Sequence, residues 1–305
     1  MTHQNNLWRQ SLLAVLTSLL FAGSFVAGKY TTDEMGPLLI TLLRYLIASV
    51  FLFLLVSRQP TIGPRLRSAS AVDKLCLLGL GTFGVVGYHF FFFSSLRYTA
   101  VANSAIINAF NPVITGFLAA VILKEKLALK NYAGGAIAIL GVLILLTHGN
   151  LISLLQLQFN AGDLLMLCAV MCWAVYSILL RHLGKTYSGL AMSYYGALFG
   201  VAQLIFLVIP ELLQTGFPQL SWPSVLGILY MGIGASGIGY LLFTLSIQRI
   251  GPTKSTSIVY SGVPVWVALL AWLFFKETVT PWMLVSMGLI LLGLRTVLQP
   301  PKTLK

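Results

Sequence analysis

Charge is scarce in this sequence. Only 9% of its 305 residues are Asp, Glu, Lys or Arg, against roughly 25% in an average soluble domain. A chain of this length has too few charges to build a water-facing shell, so a soluble globular protein is excluded. Acids are rarest, seven against 19 bases. Asp33, Glu34, Asp73, Glu125, Asp163, Glu211 and Glu277 all fall at the ends of apolar runs or between them. A proton relay uses membrane-buried Asp, Glu or His, so carboxylate-based coupling has no evident carrier. The three cysteines, Cys76, Cys168 and Cys172, lie inside apolar runs without C-x-x-C spacing. That gives neither a disulfide framework nor a metal site, and no cofactor is implied.

What remains is apolar: 58% hydrophobic residues and a mean hydropathy of +0.90. Runs of about 20 apolar residues, the length that crosses ~30 Å of hydrocarbon, recur throughout. They predict ten spans at 8–28, 36–57, 74–96, 99–123, 130–147, 163–181, 188–209, 224–247, 253–275 and 281–298. Gly36-Pro37, Gly63-Pro64, Gly251-Pro252 and Pro281 punctuate them. Arg9 and the apolar stretch after it have the form of a signal peptide, but nine further spans make it a retained first helix. The expected partner is therefore the lipid bilayer.

The net charge of +12 does not point to nucleic acid, because the bases form no stripe or tail. With a cytoplasmic N-terminus, the inner side carries Arg9, Arg58, Arg65, Arg67, Lys74, Lys124, Lys126, Lys130, Arg181, Lys185, Arg249, Lys254, Arg295, Lys302 and Lys305. Only Lys29, Arg97 and Lys276 face outward, and Arg44 lies within a span. The positive-inside rule then places both termini in the cytoplasm, for a multi-pass protein of the inner (plasma) membrane.

Shifting the sequence on itself by 152 residues gives a match without gaps. Gly87-Tyr88 falls on Gly239-Tyr240, Ser94 on Ser246, Arg97 on Arg249, Pro112 on Pro264, and Lys124-Glu125 on Lys276-Glu277. Matches among Pro, Glu and Arg are rare by chance in a chain this poor in them. Two halves follow, residues 1–147 and 148–305. Each holds five spans, an odd number, so the second enters the membrane inverted. Inverted repeats suit transport, because one arrangement opens inward and its near-mirror opens outward. Duplication kept only for packing is the bland alternative.

These residues resemble the drug/metabolite transporter superfamily in its EamA-type, ten-helix form. The resemblance rests on Phe21-Ala22-Gly23-Ser24-Phe25 with Lys29, on Arg44, and in each half on a mid-span proline (Pro112, Pro264) leading to a Lys-Glu pair and a Gly-rich helix. Phe21 departs from the usual tryptophan, which Trp173 keeps in the second half. The resemblance implies an all-α membrane protein of ten helices, two inverted repeats around a central cavity, moving a small-molecule substrate. It does not fix the substrate; an exported, amino-acid-like metabolite is the expectation.

Pro112 and Pro264 are candidate hinges, since each removes a helical hydrogen bond and frees the carbonyl of Asn108 or Tyr260. Asn108 and Asn111 beside one proline, and Tyr260 beside the other, are candidate cavity-wall groups. Tyr88 and His89 lie near the middle of the third span, where an unpaired polar group in hydrocarbon is costly. Tyr240, Trp173 and Tyr176 complete an aromatic-lined set of the kind that holds small ligands. Core packing or an interhelical hydrogen bond explains any of these singly. Arg44 costs about 2.5–3.5 kcal/mol at the centre of a span and should face the bundle interior, where it meets backbone carbonyls or an anionic substrate group.

Three readings rival a metabolite carrier. Gly234-Ala235-Ser236-Gly237 looks like a rhomboid nucleophile, but all four histidines precede Ser236, so no enzyme is expected. A multidrug or cation carrier and a passive channel remain as alternatives. Gly196 and Gly200 form a GxxxG, a weak pointer to a homodimer.

Overall fold

The computed structural model describes residues 2–58, 69–123, 129–149, 160–250 and 252–298. Among them every regular element is helical. The first half comprises α1 (Thr2–Thr32), α2 (Pro37–Val56), α3 (Ala71–Gly79), a π-helical segment (Leu80–Gly87), α4 (Tyr88–Tyr98), α5 (Val101–Asn108), α6 (Asn111–Leu123) and α7 (Leu129–Leu146). The second comprises α8 (Ala161–Leu183), α9 (Gly189–Thr215), α10 (Trp222–Leu229), a second π-helical segment (Tyr230–Gly239), α11 (Tyr240–Ile250), α12 (Pro252–Phe275) and α13 (Pro281–Leu298).

Eight stretches are long and apolar enough to cross a membrane, and Tyr132–Leu145 and Pro281–Thr296 are shorter apolar helices. Starts are set by local chemistry. Pro37 follows an extended Gly36, and Ser70, Asn160, Ser188 and Ser221 each accept a backbone N–H of the first turn. Large side chains such as Val50, Phe206 and Leu213 point away from the bundle, as lipid-facing groups should. Cys168 is also exposed there, and all three cysteines are free.

The repeat is visible in the element bounds. Residues 37, 129 and 146 begin α2, begin α7 and end α7, and positions 152 further on begin α9, begin α13 and end α13. Both π segments end on a glycine, Gly87 and Gly239, followed by 11-residue helices. Where α7 packs along α13 the contact is reciprocal. Gly141 lies against Ile290 and the Ser286 carbonyl, and Gly293 against Ala138 and the Gly134 carbonyl; these are the same two positions in each half. A Cβ at Gly293 would sit 2.5 Å from the Gly134 oxygen, so small residues are what allow the approach.

Gly196 and Gly200 are spent inside the bundle. Gly196 faces Leu80, and a Cβ on Gly200 would meet that of Val85 at 2.5 Å. The GxxxG is therefore a packing seam between α9 and the first π segment.

The two prolines differ in effect. The chain breaks at Ala109-Phe110, just before Pro112, whereas α12 runs unbroken through Pro264. Kinks at Pro are tolerated in membrane helices when neighbours satisfy the backbone, so a proline alone does not dictate a break.

One end of the bundle is laced shut. Lys29 Nζ donates to the Leu96 carbonyl at 2.6 Å, and Arg97 donates to the Thr32 and Met35 carbonyls at 3.1 and 2.7 Å. Glu277, delivered by Lys276 in a left-handed conformation (φ 57°), accepts the Val101 and Ala102 N–H groups at 3.0 and 3.2 Å. This caps α5 from the other half of the chain. Thr99 donates to Asp163 at 2.6 Å and Asn160 to the Tyr98 carbonyl at 2.9 Å. Glu34 accepts the Ser221 N–H at 2.9 Å, and hydrogen bonds from Ser221 hold its carboxyl below the usual carboxylate range. That contact is therefore present above pH ~4.5 and is lost only as pH falls through the lowered value. The three bases assigned to the sparse side, Lys29, Arg97 and Lys276, all belong to this end. Lys124-Glu125, the counterpart of Lys276-Glu277, lies outside the described residues.

Two stability outcomes follow. Gly200→Leu should overpack the α9 seam and destabilise by about 1–3 kcal/mol, read as a fall in the thermal midpoint of purified protein. Glu277→Ala should cost about 0.5–2 kcal/mol by uncapping α5; an unchanged midpoint would mean that the cross-half cap contributes nothing.

Candidate functional site

Between the halves lies a cavity lined by Phe21, Ser24, Phe25, Arg44, Tyr88, His89, Phe92, Asn108, Trp173, Tyr240, Tyr260 and Val263. It draws on α1, α2, α4, α5, α8, α11 and α12 and so takes walls from both halves. Its free space is about 40 Å³, which at ~10–15 Å³ per molecule admits a few waters. A metabolite needs the walls to part.

Seven of the sequence-predicted site residues meet around this cavity: Arg44, Tyr88, His89, Asn108, Trp173, Tyr240 and Tyr260. Asn111 stands behind them, 1% exposed, donating to Asn108 Oδ1 at 2.8 Å. The Tyr88 hydroxyl reaches the same oxygen at 3.5 Å. Asn111 thus orients Asn108 and does not itself line the wall. Tyr176 borders an adjoining space with Tyr45, Ser193, Ser236 and Tyr240, its ring laid against Gly84. Pro112 lies below the break that ends α5 at Asn108, and Pro264 follows Val263 of the wall.

The aromatic wall is continuous. Trp173 contacts Tyr88 and Tyr176 at 4.9 Å and Tyr240 at 6.1 Å between centroids, and Phe21 contacts Tyr240 at 5.5 Å. His89 is 1% exposed. Its Nδ1 lies 3.0 Å from the Val85 carbonyl, one turn back in the π segment. A carbonyl only accepts, so Nδ1 carries the hydrogen and Nε2 is the nitrogen with a free lone pair. The bond is within its own helix rather than between helices, and the ring stands edge-on to Tyr45 and Tyr88 at 5.1 and 4.9 Å.

Arg44 is 3% exposed. Its Nε donates to Ser236 Oγ at 2.7 Å, and its guanidinium lies 5.6 and 6.0 Å from the Tyr45 and Phe93 ring centres. Ser236 is therefore the anchor of an arginine. A hydroxyl so held, with no histidine bonded to it among the described residues, has none of the base activation that a nucleophile requires.

Ser24, Tyr45 and Ser236 are site residues that sequence reasoning missed or misread. Away from the cavity, Asp163 lies at a helix start as expected, yet is 0% exposed, with Oδ2 unpartnered among the described residues. Gly162 lets Thr99 and Ser95 close over it. Among the described residues no cluster of His, Cys, Asp or Glu is arranged to hold a metal ion.

Comparison with known proteins agrees with this architecture. The model of the EamA-like transporter family matches twice, over residues 8–147 and 160–299. The transporter YyaM of Bacillus subtilis (strain 168) is 28% identical over 292 residues, 93% of each chain. A probable terminal-alkyne amino-acid exporter of Streptantibioticus cattleyicolor is 25% identical, covering 93% of this chain and 91% of that one. A solved crystal structure aligns with a TM-score of 0.65 and 20% identity over 95% of this chain and 98% of its own, a likeness of fold. With both halves matched by one family model, and every wall of the cavity drawn from those matched segments, this chain belongs to the EamA-like transporter family and is a multi-pass membrane transporter, not an enzyme.

Proposed function

We propose that the protein exports a small amino-acid-like metabolite across the plasma membrane by alternating access, as ten spans in two inverted five-helix repeats, residues 1–147 and 148–305. Both termini lie in the cytoplasm in this reading. The observation that carries it is the pairing of wall positions. Tyr88 and Tyr240, Asn108 and Tyr260, and Phe21 and Trp173 are each 152 residues apart and surround one cavity. A site built at the junction of two equivalent bundles is what a rocking motion exposes first to one side and then to the other. The laced end supports a state closed on one face. The amino-acid exporter among the relatives supports the substrate class.

A cavity this small, in a bundle laced by hydrogen bonds at one end, favours a carrier over an open pore. A cation buried in its wall weighs against cationic drugs as substrates. With no carboxylate in the wall among the described residues, the motion is driven by exchange or by the substrate's own gradient, and His89 Nε2 is the site there for proton modulation.

Topology and flux test this separately. In a background lacking Cys76, Cys168 and Cys172, single cysteines at positions 125 and 277 should react with a membrane-impermeant maleimide from opposite faces; labelling from one face ends the inverted-repeat reading. In proteoliposomes, counterflow of L-leucine, L-phenylalanine or L-methionine should saturate. Trp173→Ala or Tyr88→Ala should raise the KM about 2- to 10-fold through the lost aromatic contact. Uphill accumulation driven by a pH gradient that persists in His89→Ala would remove His89 from any coupling role. Flux linear in concentration would mean a pore.

A further inference from the structure

We infer that Arg44 is the receptor for a carboxylate on the transported solute, and that this single anchor selects acids over their amides and over cations. The inference rests on the carrier reading above and names the chemical group that its site recognises.

Three observations combine. First, Arg44 is a buried cation deep in a span, 3% exposed, and its hydrogen bond among the described residues is to a neutral group, Ser236 Oγ at 2.7 Å. A buried charge without a counter-ion is costly in a bilayer, and an anion that enters the cavity relieves that cost. Second, the bond to Ser236 uses Nε. The two terminal nitrogens, with four N–H donors in one plane, remain to form the paired bonds that a carboxylate accepts. The Tyr45 and Phe93 rings at 5.6 and 6.0 Å limit how the plane can turn. Third, among the described residues the rest of the wall has no acid. An ammonium group finds ring faces and the Asn108 oxygen there, but no opposite charge. A free cation meets only repulsion from Arg44.

The repeat gives the anchor a direction. The position equivalent to Arg44 is Gly196, and the one equivalent to Ser236 is Gly84. The pair therefore exists once, on one side of an otherwise matched cavity, and the solute enters it in one orientation with its carboxylate toward α2.

The test uses purified full-length protein and a matched panel: L-leucine, L-phenylalanine and L-methionine, the carboxamide of each, and tetraphenylphosphonium. Thermal stabilisation and counterflow inhibition in proteoliposomes are both read. In the wild type at least one acid should bind about tenfold or more tightly than its carboxamide, the difference expected for a charge-assisted pair of hydrogen bonds. Arg44→Gln should erase that ratio, and Arg44→Lys should restore part of it. Ser236→Ala, which keeps the charge but releases the guanidinium, should weaken acid binding about 2- to 10-fold and serves if Arg44→Gln does not fold. Equal affinity for acid and amide, preference for the phosphonium, or a ratio that survives Arg44→Gln would overturn the carboxylate anchor while leaving the carrier reading intact. No saturable response to any panel member would instead sink the amino-acid-like reading, and the anchor with it.

Discussion

Hydrocarbon offers a peptide group no hydrogen-bond partner, and that constraint organises this molecule. A backbone in lipid must remain helical unless protein or water takes up what it releases. The described chain departs from the α-helix inside its spans at three places: the π segments at Leu80–Gly87 and Tyr230–Gly239 and the break at Ala109-Phe110. Each adjoins the central cavity. Tyr88 and Tyr240 leave the two π segments as their first α-helical residues, and Asn108 is the last residue before the break. The irregular backbone and the polar side chains of the wall thus share one location, where protein and cavity take up what the helix releases. π-Helical turns recur at functional sites.

Sequence patterning exposed much of this because polarity inside an apolar run is easy to see. Tyr88, His89, Asn108 and Arg44 stood out by depth, and they meet in space. Trp173 and Tyr240 came from the repeat. What sequence hid was geometry that depends on neighbours. Gly87 and Gly239 stand out in the sequence only as matched repeat positions; nothing in them announces a widened turn. Ser236 resembled a nucleophile because its local motif is short, and only its contact with a residue 192 positions earlier reveals its role. Asp163 looked like an ordinary first-turn acid, and its burial depends on Gly162 admitting α4. Pro112 and Pro264 are the same residue in equivalent places, yet one adjoins a break and the other a continuous helix, because their surroundings differ.

The laced end shows how few charges a membrane bundle needs to hold a face together. Lys29 and Arg97 are spent on carbonyls at helix ends, and Glu277 on N–H groups at a helix start. These are the groups that a helix leaves unpaired, so each side chain satisfies backbone as well as bridging elements. Several of the bridges cross between halves, among them Glu277 to α5, Thr99 to Asp163 and Glu34 to Ser221. Where such hydrogen bonds meet water, as at Glu34 and Ser221, their net worth is modest, because water replaces them when they part. A seam made of them resists opening without preventing it, which an apolar seam of equal area does less readily.

The two halves therefore do different work with the same scaffold. Packing contacts obey the repeat: Gly141 and Gly293 seat against equivalent partners, and the helices on either side begin and end at matching positions. The chemistry breaks it. Arg44 faces a glycine's position in the other half, His89 a leucine's, and Asn111 a valine's. In the alternating-access reading proposed above, symmetric packing would keep the energies of two mirror-related arrangements close, so that modest binding energy shifts the balance between them. A symmetric set of charges would instead place two cations in one low-dielectric cavity, with mutual repulsion and two competing poses for a solute. One cation, anchored by one serine, avoids both. Duplication supplied the scaffold, and divergence at a handful of positions in and behind the wall left one buried cation in it.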